Sequence, residues 1–79
     1  MDIVEGRVVF RNRMGKATFV KVESPENKLT TLYFRRDEIG EEAYTRVGRI
    51  DLFETIRVEV GPEAPGRGGP FHPVLKFID

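Results

Sequence analysis

"LTTLYFRRDEIGEEAYTRVGRI", residues 29–50, changes its hydrophobic period half-way along. Leu29 to Arg35 alternates, with Leu32 and Phe34 on one side of an extended chain and Thr31 and Tyr33 on the other. That two-residue repeat is a strand. From there on, Ile39, Ala43, Tyr44, Val47 and Ile50 recur at helical spacing. Asp37 is available to cap the helix, and Glu42 lies one turn before Arg46 as an i,i+4 pair. A strand feeding directly into a helix narrows the choice of fold, and the flanking segments complete it.

Upstream, Val4, Gly6, Val8 and Phe10 alternate with Glu5, Arg7, Val9 and Arg11, a first strand of period two. Asn12 to Gly15 is expected to form the turn after it, the glycine supplying any positive φ. A second strand covers Lys16 to Glu23, with Thr18, Val20 and Val22 inward and Ala17, Phe19, Lys21 and Glu23 outward. Ser24 to Lys28 has the composition of a turn. Downstream, Thr55 to Val60 is a fourth strand, "GPEAPGRGGP" (61–70) a loop, and Val74 to Ile78 a fifth strand. Three strands, a helix and two strands is the element order of the OB-fold, an all-β five-stranded Greek-key barrel with a helix between strands 3 and 4. An SH3-like barrel competes, but it is not expected to hold a full helix at that point.

The chain has 79 residues, enough for one domain spanning 1–79. With 39% apolar and 33% charged residues it has the composition of a globular protein. There is no cysteine, so neither a disulfide framework nor a thiolate metal site can form. The first residues lack the basic and apolar segments of a signal peptide, and no apolar run approaches the ~18 residues of a membrane span. A cytoplasmic chain without a membrane partner is expected. Net charge is zero, but residues 1–36 carry eight basic and four acidic side chains, and residues 37–79 five and nine. That asymmetry suggests one basic surface on a neutral protein.

Signals for catalysis are weak. His72 is the only histidine and has no evident partner for a zinc site or a nucleophile–base pair, so a structural or exposed role is expected. Asp37-Glu38 and Glu41-Glu42 suit the positive end of a helix dipole. The glycine string at 66–69 lacks the lysine and the strand–helix setting of a P-loop. No enzyme activity, cofactor or metal is expected. "RNRMGKATF" (11–19) carries Arg11, Arg13 and Lys16 just before Phe19, and it fits either a nucleic-acid contact or an ordinary basic turn. On the outward side of adjacent strands, Phe19 and Tyr33 flanked by cations would offer a base-stacking face, or simply packing area.

The strings "GRVV" (6–9), "RMGKATF" (13–19), "LYFRRDEIGEEAY" (32–44) and "DL" (51–52) give the chain a resemblance to the anticodon-binding domain of bacterial lysyl-tRNA synthetases, which are class II enzymes. The first 60 residues follow the family closely and residues 61–79 loosely. The resemblance implies an OB-fold that grips a tRNA anticodon loop, with RNA as partner and aminoacylation left to a separate catalytic domain. It implies that Phe19 stacks on the central anticodon base. Asn12, between Arg11 and Arg13, takes the place of a base-reading arginine, and Thr31 that of a glutamine. Arg67-Gly68-Gly69-Pro70 stands where the family has a glutamate-bearing turn, and Phe53 where it usually has glycine. Because the family's dimer interface lies mainly in the catalytic domain, a monomer is expected.

The expected function is therefore single-stranded RNA binding. Phe19 stacks a base, Tyr33 stacks or abuts a second, Thr31 and Asn12 stand at base edges, and Arg7, Arg11, Arg13, Lys16 and Lys21 meet phosphates. The missing base-reading groups keep a second reading open: an OB scaffold altered, by evolution or design, toward a protein partner or no nucleic acid at all.

Overall fold

A computed structural model describes residues 2–66 and 68–78. The elements run β1 (Asp2–Met14), β2 (Ala17–Glu23), β3 (Leu29–Arg35), α1 (Arg36–Ile39), α2 (Glu41–Val47), β4 (Thr55–Val60) and β5 (His72–Phe77). The five strands close into a barrel in the order β1-β2-β3-β5-β4, which is the OB-fold. β1 closes it by serving two neighbours: Asp2 to Arg7 pairs with β4, and Arg7 to Met14 pairs with β2. At the changeover sits Gly6, where an added Cβ would come within 3.0 Å of the Glu23 carbonyl and of the Val22 side chain. Only glycine lets the strands approach this closely.

Alternation produces the core. Val8, Val20, Val22, Leu32, Phe34, Val58, Val60 and Val74 are fully buried, and Tyr44, Val47 and Ile50 join them from the helical segment. β3 and β4 have the bounds their period predicts. β5 starts earlier than expected, because His72 and Pro73 pair in parallel with Leu32 and Tyr33 of β3.

Three local features differ from the sequence expectation. The first turn is only Gly15-Lys16, and Asn12, Arg13 and Met14 stay paired with Phe19, Thr18 and Ala17. Gly15 has φ 65°, and glycine at the first central position makes a two-residue connection compatible with strand twist. Second, β1 bulges at Val9: Val8 opposes Val22 and Phe10 opposes Lys21, leaving Val9 unpaired. Beyond that extra residue the strand's faces are exchanged, so Phe10 points out of the barrel instead of into the core.

Third, the helix is in two pieces. Gly40, at φ 91°, separates α1 from α2. Asp37 does not cap; the capping position is the extended Arg35, and the Arg36 N–H donates instead to the Lys16 carbonyl at 3.0 Å. The β1–β2 hairpin thus supplies the acceptor that a capping side chain would have given. α2 is tied to the same hairpin by a hydroxyl chain. The Thr18 hydroxyl donates to the Tyr44 hydroxyl at 2.9 Å, which donates to the Gly15 carbonyl at 3.1 Å.

Candidate nucleic-acid interface

The outward side of β1, β2 and β3 is ordered by ladder register. Asn12 opposes Phe19, which opposes Tyr33; one rung away, Phe10 opposes Lys21, which opposes Thr31. These side chains line a groove of about 610 Å³ whose far wall is the β4–β5 connection, with Phe71 and glycines 66, 68 and 69. Arg67, in the turn that stands where the resembled family has a glutamate, lies outside the described residues.

Three half-buried rings form the floor. Phe19 and Tyr33 lie 4.6 Å apart, centroid to centroid, at 31°. Phe71 meets Tyr33 at 5.2 Å and Phe19 at 6.2 Å, edge-on in both cases. Offset and edge-to-face pairs are each worth about 0.5–1.5 kcal/mol beyond burial, so the rings preorganise one another. Phe71 is delivered by a two-way backbone pair with Ala64, at 2.8 and 2.9 Å, that pinches the loop. Gly66 makes the room: a Cβ there would lie 2.9 Å from the Phe71 ring. Nearby, a Nδ1-protonated His72 donates to the Gly61 carbonyl at 3.2 Å, while its Nε2 lies 3.7 Å from the Glu63 carboxylate. That histidine holds the base of the loop.

The groove gathers Phe19, Tyr33, Thr31, Asn12 and Lys21 from the residues the sequence singled out. It does not gather the other cations. Arg7 pairs with Glu23 at 3.6 Å and lies 5.9 Å from the Phe53 ring. Arg11 turns to the other side of β1 and donates from Nη1 to the carbonyls of Gly48 and Ile50, just past α2. Arg13 follows it, with its guanidinium 5.7 Å from the Tyr44 ring. Lys16 is exposed on the hairpin turn. Among the described residues, Lys21 is the one basic side chain lining the groove.

Sequence reasoning missed Phe10, Met14 and Phe71 as lining residues. Phe10 and Met14 were hidden by the bulge. Phe71 had a signal, a ring directly after a glycine-rich connector that has to return to the barrel. No group of three or more His, Asp or Glu side chains able to hold a metal exists among the described residues. No helix among them is long and apolar enough to cross a membrane.

No family model matches the chain. Lysine–tRNA ligase of Variovorax paradoxus is 41% identical over 56 residues, covering 71% of this chain and 11% of the ligase. The Haemophilus influenzae ligase is 40% identical over 57 residues, again 71% and 11%. That of Pelotomaculum thermopropionicum is 33% identical over 57 residues, or 72% and 11%. The chain thus spans about a tenth of the length of the curated relatives it matches. Among solved structures, asparaginyl-tRNA synthetase from Pyrococcus horikoshii superposes with a TM-score of 0.75 at 18% identity, over 96% of this chain and 18% of that one. At that identity the likeness is one of fold. In sequence over about 57 residues and in its closed five-stranded barrel, the chain resembles the anticodon-binding OB-fold domain of lysyl-tRNA synthetases.

Proposed function

We propose that this domain binds single-stranded RNA, with the anticodon loop of a tRNA as its target. The observation that carries the reading is the Phe19–Tyr33–Phe71 ring cluster, half-buried on the floor of an open groove on an OB barrel. A base laid on such a platform gains about 1–3 kcal/mol by stacking, whatever its identity. Asn12 and Thr31 stand beside the rings. The carboxamide of Asn12 offers a donor and an acceptor to a base edge; the Thr31 hydroxyl offers one of each from a single atom. Lys21 and Lys16 meet phosphates, whereas Arg7, Arg11 and Arg13 are engaged with Glu23, backbone carbonyls and the Tyr44 ring. In this reading these 79 residues act as a binding module, and aminoacylation belongs to other parts of a synthetase.

Titration of a lysine anticodon stem-loop, against the same stem with a scrambled loop, tests this at low and moderate salt. Tighter binding of the lysine loop is expected, with a loss of about tenfold on Phe19→Ala. No binding, or no loss in the variant, refutes base stacking. Equal affinity for the two loops leaves a single-strand binder and removes the anticodon as target. A second reading, a surface for a protein segment, is favoured by one observation: the lining is mostly aromatic and aliphatic, with Lys21 as its one described cation. It gains if RNA fails and this face is protected by a captured peptide.

A further inference from the structure

We propose that Phe10 and Lys21 form a second nucleotide subsite beside the ring cluster, so that the groove takes two consecutive, splayed nucleotides. The inference rests on the single-stranded RNA reading given above and adds a subsite to it.

The bulge at Val9 is what creates the subsite. Regular pairing would have sent Phe10 into the core; the unpaired Val9 turns it outward, opposite Lys21. Bulges of this kind re-aim side chains next to functional sites. Phe10 is 45% exposed and lines the same groove as Phe19 and Tyr33. Lys21 holds its ammonium 5.5 Å from the Phe10 centroid.

Spacing sets the stoichiometry. Phe10 and Phe19 occupy diagonal positions of the β1–β2 ladder, because Phe10 opposes Lys21 and Asn12 opposes Phe19. Such positions are about 7–8 Å apart. That is roughly twice the ~3.4 Å step between stacked bases of a strand. Two neighbouring bases can therefore lie on the two platforms only if they unstack from one another, the arrangement in which proteins hold single-stranded RNA. Lys21 lies two residues from Phe19 along β2 and directly across from Phe10, between the two bases, where the linking phosphate passes. An exposed cation–π contact is weaker than base–aromatic stacking, so an arriving base displaces the ammonium from the Phe10 face and leaves it to the phosphate.

The test is a double-mutant cycle between protein and ligand. The ligand is a short single-stranded RNA with the lysine anticodon sequence, intact or carrying one abasic nucleotide, scanned along the strand. The proteins are the wild type, Phe10→Ala, Phe10→Leu and Phe19→Ala. Phe10→Ala is expected to weaken binding of the intact RNA about tenfold. Phe10→Leu, which keeps apolar area but no ring face, should recover little of it. One abasic position should abolish the effect of Phe10→Ala, and the position next to it should abolish that of Phe19→Ala. Because Phe10 is exposed, unchanged thermal unfolding of its variants separates lost contact from lost fold. Loss on Phe19→Ala with none on Phe10→Ala overturns the second subsite and keeps single-strand binding. A Phe10→Ala loss equal at every abasic position also overturns it. Failure of the wild type to bind removes both.

Discussion

Tyr44→Phe should destabilise the domain through a residue other than the one changed. The tyrosine hydroxyl accepts from Thr18 and donates to the Gly15 carbonyl. Gly15 is exposed, so water replaces the lost donor there. Thr18 is 2% exposed, and its hydroxyl is left without a partner in the core. An orphaned buried hydroxyl costs about 1–3 kcal/mol. The phenyl ring keeps the volume and its contact with the Arg13 guanidinium, so few other terms change. Thr18→Val alone is milder, under about 1 kcal/mol, since the tyrosine retains Gly15 as acceptor and valine suits a buried strand position. The double variant removes both ends of the bond and should be more stable than Tyr44→Phe by about 1–2 kcal/mol. For a domain this small each kcal/mol moves Tm by about 4–8 °C. Thermal melts and urea titrations of the four proteins, with equal m-values as a check on the two-state assumption, read the cycle. A double variant less stable than Tyr44→Phe would refute the hydroxyl chain as the tie between α2 and the hairpin.

Three more outcomes follow from the geometry. Phe53 holds φ 72° and is 66% exposed; Phe53→Gly should exceed Phe53→Ala in stability by about 1 kcal/mol, because only glycine relieves the Cβ strain. Urea midpoints would decide it, and an alanine variant as stable as the glycine one would show that no strain is stored there. Gly66→Ala drives a Cβ into the Phe71 ring, so it should cost about 1 kcal/mol by overpacking and weaken RNA binding several-fold; unaltered affinity would remove Phe71 from the platform. With Lys21 and Lys16 as the phosphate contacts, log K should fall against log salt with a slope of about −1.4, whereas five engaged cations would give about −3.5. A slope near the steeper value would refute the assignment of the three arginines to structural contacts.

Much of the barrel could be read from period alone. β3 and β4 have single-faced alternation from end to end, and burial of one face leaves them no other register. The helical segment was legible in Tyr44 and Val47, but its break was not. Gly40 is a tolerable helix residue by propensity, and the Lys16 carbonyl that receives the Arg36 N–H comes from a distant hairpin. The groove was half legible. Phe19, Lys21, Thr31 and Tyr33 follow from clean strands, whereas Phe10, Met14 and Phe71 depend on a bulge and on a loop closure, which leave no periodic trace. Charge misled most. A count of cations in the first half says nothing of direction, and Arg7, Arg11 and Arg13 each have a partner outside the groove.

The second half of β1 carries two chemically distinct sets on alternate positions: Phe10, Asn12 and Met14 on one side, Arg11 and Arg13 on the other. One unpaired valine decides which set faces a ligand. Had Val9 been matched in the ladder, the same residues would have put two guanidinium groups into the groove and sent a phenylalanine against the barrel. Whether this wall is greasy or cationic is thus a matter of parity in the backbone, with composition held constant. Two relatives with identical side chains here, one bulged and one regular, would present surfaces suited to different classes of ligand, and substituting single residues would not convert one into the other.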